Sequence, residues 1–174
     1  MPSKIWHRVP TPGDVLHVSR NMREMDAREI FLMLDGFDRD TFAAVTSTMV
    51  PRARVALGVG LDGSPFCAAV LVICSAESSP WLAVASLFAT DDFPRLAPWL
   101  IRHIRKTIIP ALLAEGVRRV EARALASYAV TRRFLRAAGA VEEAPLPDHG
   151  PNSESYILCA WRRSDFVKET ADVL

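Results

Sequence analysis

The chain has 174 residues, 50% hydrophobic and 24% charged, with a formal net charge of +1. That length suits a domain with its own core, and the near-neutral balance argues against a nucleic-acid or membrane-surface partner. The longest apolar runs, 66–74 and 81–89, fall well short of the ~20 residues a membrane span needs, and the opening MPSKIWHRVPTPGD carries no apolar stretch or small-residue cleavage site, so no secretory signal is expected.

Residues 4–9 (KIWHRV) read as a short first strand. TPGD at 11–14 then starts a helix, with Thr11 as cap, Pro12 at the first helical position and Asp14 in the first turn. Val15, Leu16, Val18 and Met22 give it an apolar side. A second helix is expected over 24–35, ending at Gly36, and a third over 39–49, stopping before Pro51. The period then changes. Val55, Leu57, Val59 and Leu61 alternate with small residues, Asp62-Gly63 is a hairpin signal, and 65–74 returns as an apolar strand.

A third meander strand is expected over 81–89. A long helix follows to about Glu115, with Leu96, Leu100, Ile104 and Ile108 at a spacing of four and Pro110 as a kink or break. Residues 117–125 form a strand, 127–140 a helix ending at Gly139, and VEEA a short strand. A loop over 145–155 leads to a last strand, 155–163. The order predicts one α/β domain over 1–163, a mixed, mostly antiparallel central sheet with helices on both faces, and a polar tail over 164–174.

Cys67, Cys74 and Cys159 are widely spaced with no C-x-x-C pair, so they read as buried free thiols, and no metal site is expected. His7, His17, His103 and His149 do not pair with acids at a telling spacing.

This order resembles the GNAT (acyl-CoA N-acyltransferase) fold over about residues 4–163. In that family the loop after the fourth strand reads Q/R-x-x-G-x-G/A, and its bare backbone amides hold the coenzyme pyrophosphate. The resemblance makes Leu87, Ala89 and Arg95 the candidates for cofactor contact. The corresponding stretch here, Thr90-Asp91-Asp92-Phe93-Pro94-Arg95-Leu96-Ala97, has no glycine. Pro94 removes a donor, Asp91 or Asp92 is expected to cap the helix, and the other carboxylate adds charge that repels an anion. The open readings are a well-capped helix, a phosphate site rescued by Arg95, and a dock for a basic partner. Leu135 stands where the family's thiolate-protonating tyrosine would be, leaving Tyr128 as a displaced acid and Glu121 as the candidate base.

The segment NMREMDAREI (21–30) resembles the opening of GNAT-like proteins of tailed bacteriophages, and RRFLRAAGAVEE resembles their closing helix. Some of those are virion components. The resemblance implies a virion or assembly protein with a degenerate acyl-CoA site, no cofactor, and other virion proteins or a second copy as partners. It would reside in the host cytoplasm or in the particle. The alternative is an active N-acyltransferase that takes acetyl-CoA or another acyl-CoA and an amine. Two arginine-rich helix faces (Arg102, Arg105, Lys106 and Arg132, Arg133, Arg136) lack an aromatic platform, so nucleic acid is not the expected partner.

Overall fold

Thr11 and Asp14 lock the entry to the first helix, α1 (Pro12–Arg20). In the computed structural model, which describes residues 4–34, 36–76 and 78–165, the Thr11 hydroxyl accepts the Asp14 N–H at 3.2 Å. The Asp14 carboxylate accepts the Thr11 N–H at 2.9 Å. This is the capping box that TPGD promises. Asp14 is wholly buried and also takes Arg8 Nη2 at 2.8 Å and the Cys67 N–H at 3.0 Å. Burial alone would raise its carboxyl, but Arg8, Thr11 and Cys67 outweigh burial and hold it well below the usual carboxylate range.

The chain falls into two compact units. The first comprises the described residues through Cys74 together with Ser86–Trp99. It holds strands β1 (Ile5–Arg8), β2 (Val55–Leu61) and most of β3 (Ala69–Ala76), joined antiparallel, with α1, α2 (Glu24–Met33) and α3 (Arg39–Met49). Its core gathers Val15, Val18, Met22, Phe42, Val70 and Phe88, with the Phe42 and Phe88 rings edge-to-face at 5.0 Å. The small residues that alternate along β2 have a steric cause. A Cβ on Gly60 would lie 2.1 Å from the Trp6 ring, and one on Gly58 would lie 2.4 Å from Cys67 Sγ.

The second strand of the meander begins four residues later than the sequence pattern indicates. Ala69, not Pro65, opens β3. The Cys67 N–H is drawn off to Asp14 and Phe66 is 41% exposed, so 65–68 form a connection rather than a ladder. Pairing resumes with the Ala68 N–H on the Val59 carbonyl at 2.7 Å.

The second unit comprises Ser75–Ala85 and the described residues from Leu100. It takes in most of β4 (Ser79–Ala89), which pairs in parallel with β5 (Arg119–Leu125) from Leu82↔Arg119 to Val84↔Glu121. β5 pairs antiparallel with β7 (Tyr156–Arg162), and β7 with β6 (Val141–Leu146), which carries a register shift between Glu142 and Ala144. The full strand order is β1-β2-β3-β4-β5-β7-β6, a mixed and mostly antiparallel seven-stranded sheet.

The long helix is broken as Pro110 demands. It runs as α4 (Phe93–His103), a π-turn over Ile104–Ile108 and α5 (Ile109–Ala114). In the π-turn the Ile109 N–H reaches back five residues to the Ile104 carbonyl. The widened turn gives the Pro110 ring room beside the carbonyl four residues before it. Leu96, Leu100, Ile104 and Ile108 are all buried, as their spacing predicts. The next helix, α6 (Ala129–Ala137), is shorter than expected, with Tyr128 at its N-cap. Among the described residues no helix is long and apolar enough to cross a membrane. The expected polar tail lies outside the described residues from 166 on.

Candidate functional site

The end of β4 and the start of α4 are tied down by the segment Met22–Asp26. Arg23 donates its N–H to the Ala89 carbonyl at 2.9 Å, and Met22 forms a β-bridge with Thr90. Asp26 accepts the Ala89 N–H at 3.0 Å and pairs with Arg23 Nη2 at 2.6 Å. The Arg23 guanidinium lies over the Phe93 ring, 4.2 Å from its centroid. Burial pushes the Asp26 carboxyl up against the pull of Arg23 and Ala89, and the nearby Asp91 charge adds to the push. The segment N-M-R-x-x-D is thus a buckle between α2, β4 and α4. Neither Arg23 nor Asp26 stands out as a tie in the sequence, because Ala89 and Phe93, which they hold, lie more than sixty residues away.

The turn itself can be accounted for donor by donor. The Thr90 N–H goes to the Ala68 carbonyl at 2.8 Å, and the Asp92 N–H points to Thr90 Oγ1 at 3.4 Å. Phe93 and Arg95 donate to the Thr90 and Asp92 carbonyls, each at 3.0 Å. Pro94 has no N–H. With Ala89 held by Asp26, five of the seven backbone positions from 89 to 95 donate internally. Among the described residues only the Asp91 N–H is left over. The turn is closed by Thr90 rather than by the expected carboxylate cap. Asp91 and Asp92 are exposed, and Asp92 takes Arg95 Nη1 at 2.9 Å. Beside them lies an open depression of about 580 Å³, lined by His17, Asn21, Met22, Thr90, Asp91 and Asp92. His17 stacks on Phe66, with centroids 4.6 Å apart.

This turn does not fit a diphosphate. An anion cradle needs several backbone N–H groups aimed outward at a helix N-terminus. Here one remains, and two carboxylates flank it. Of the residues expected to touch a cofactor, Arg95 is engaged by Asp92, Ala89 is buried with both backbone groups taken, and Leu87 is half-buried on β4.

The candidate catalytic residues lie in the second unit. Glu121 sits in the middle of β5, and Arg119 Nε meets its Oε1 at 2.5 Å. Arg119 also binds Glu143, which in turn lies 3.3 Å from Arg162. The neighbouring Glu142, on the opposite face of β6, goes to Arg132 at 2.7 Å instead. Two arginines of the second basic face, Arg132 and Arg136, are therefore already paired with Glu142. Tyr128 is half-buried, its N–H on the Leu125 carbonyl at 2.8 Å and its carbonyl accepting the Arg132 N–H at 3.2 Å. Leu135 is buried. Among the described residues no group of three or more His, Cys, Asp or Glu could hold a metal ion.

No family model and no curated protein matches the chain by sequence. Solved structures match it along nearly its whole length. A GNAT-family acetyltransferase from Bacillus anthracis superposes with a TM-score of 0.68 at 11% identity, covering 94% of this chain and 98% of its own. Ard1 from Thermoplasma volcanium gives 0.65 at 17%, covering 93% and 98%. The Salmonella typhimurium protein yncA, solved with its cofactor acetyl-CoA, gives 0.62 at 11%, covering 91% and 93%. The fold is that of the GNAT acetyltransferases.

Proposed function

We propose that the chain is an N-acyltransferase, moving an acyl group from a thioester to an amine. The observation that carries this reading is the whole-length agreement with acetyltransferase structures, one of them holding acetyl-CoA. It favours acyl transfer over the virion-component reading. The amine nitrogen attacks the thioester carbonyl, an N–C bond forms, and the C–S bond breaks. Glu121 takes the amine proton through a water, and Tyr128 returns a proton to the departing sulfur. The test is incubation of the full chain with acetyl thioesters and a panel of primary amines, including a polyamine, a lysine peptide and a peptide N-terminus. Time-dependent acetylated product by mass spectrometry is expected. No product above the enzyme-free control with any amine overturns the reading.

A second reading is a non-catalytic GNAT-fold component of a phage particle, with virion proteins or another copy as partners. The engaged, acidic β4–α4 turn favours it, as does the phage-like opening 21–30. It is checked by asking whether the protein copurifies with particles in a stoichiometric amount.

A further inference from the structure

We infer that the acyl donor of this chain is selected without its diphosphate, because the turn that should cradle that group is closed from within. The inference deepens the acyl-transfer reading and rests on it for the donor comparison, while its binding arm stands alone.

Three features close the turn. The first is a loss of donors. Ala89, Thr90, Asp92, Phe93 and Arg95 all give their N–H groups to protein acceptors, and Pro94 has none. To turn outward, each donor would have to abandon a formed hydrogen bond, which offsets what it gains from an incoming oxygen. The second feature is charge. Asp91 and Asp92 stand exposed at the positive end of α4, where an arriving anion would meet like charge. The third is mechanical. Arg23 and Asp26 hold both backbone groups of Ala89, and Arg23 also covers the Phe93 ring, so the turn is clamped from a distant part of the sequence. The helix-end charge effect alone is equivalent to about two- to fivefold in an anion's affinity, before any donor is withdrawn.

A donor recognised through its acyl and pantetheine end loses nothing at such a turn. A nucleotide-bearing donor gains nothing there. The chemical class is therefore a pantetheine-type thioester, with or without a nucleotide attached.

Two measurements on the full chain test this. Kinetics compare kcat/KM for acetyl-CoA and for S-acetylpantetheine, which carries no phosphate. Values within about tenfold of each other are expected, and a preference for acetyl-CoA above a hundredfold overturns the inference. Separately, 15N NMR follows the backbone amides of 90–95 during titration with CoA. Amides that stay unmoved up to millimolar CoA support the inference, whether or not CoA binds elsewhere. Saturable shifts of those amides in the micromolar range overturn it. Absence of turnover with both donors rejects acyl transfer and the donor inference with it, and unmoved amides then show only that the turn takes no diphosphate.

Discussion

The carboxylate of Asp26 accepts the backbone N–H of Ala89 at 3.0 Å, across sixty-three residues of sequence. Asp26 is 5% exposed and its other partner is Arg23. Asp26→Ala leaves a half-buried guanidinium and a buried N–H without their acceptor. Leaving the buried donor unsatisfied costs about 1–3 kcal/mol. Urea unfolding should show it, and hydrogen exchange at the Ala89 amide should accelerate more than exchange in β2.

The two buried aspartates respond to pH with opposite sign. The folded chain holds the Asp14 carboxyl below its ordinary value, so the unfolded chain binds that proton first. Stability from Asp14 is full above about pH 4 and is lost as pH falls below it. Asp26 is pushed up, so its contribution weakens as pH rises from about 4. Asp14→Asn should therefore flatten the acid limb of the stability profile, and Asp26→Asn should remove a decline on the neutral side. Denaturant midpoints between pH 3 and pH 7 check both.

Gly60→Ala should destabilise through overpacking. The added methyl meets Trp6, whose indole N–H is already fixed on the Leu61 carbonyl at 3.0 Å. The expected cost is about 1–3 kcal/mol. Gly63→Ala is a useful contrast, since its methyl meets open space and the strain comes from a φ of +87° instead. Combining Gly60→Ala with Trp6→Leu should recover part of the first loss and none of the second.

Thiol chemistry should be slow. Burial pushes the Cys67 thiol up to about 12, with the neighbouring Asp14 charge adding to it, and burial also raises Cys74. Cys159 is wholly buried. Under native conditions at pH 8 iodoacetamide should label Cys74 first and leave Cys67 untouched. Peptide mapping of the alkylated protein decides this.

For the reaction itself, Glu121→Gln and Tyr128→Phe should each lower kcat by about 10²–10⁴ with little change in KM. Glu121→Gln also removes the partner of Arg119, so Arg119→Gln is the companion variant. If Arg119→Gln lowers kcat equally, the carboxylate acts through its ion pair rather than as a base.

Much of the fold was legible because it rests on local chemistry. Thr11, Pro12 and Asp14 announce a helix start, Pro110 a break, and alternating Val55, Leu57, Val59 and Leu61 a strand. The late start of β3 was hidden because Cys67 is claimed by Asp14, an acceptor fifty-three residues away. The absence of glycine and the presence of Asp91 and Asp92 did mark the turn as poor for an anion. What engages its donors was not visible, since Thr90 and the distant Asp26 act where the acidic pair was expected to. Glu121 and Tyr128 could be placed on a strand and a helix start, and Arg119 lies two residues from Glu121 on the same strand, but the Glu143 and Arg162 that join this cluster come from distant strands.

The buckle also sets a limit on protein engineering. A glycine-rich segment transplanted from a relative into 90–95 would free the middle of that stretch while Ala89 stayed moored to Arg23 and Asp26. Retrofitting nucleotide recognition would take coordinated replacements in two remote stretches of the gene, so a single-loop chimera is the wrong starting library.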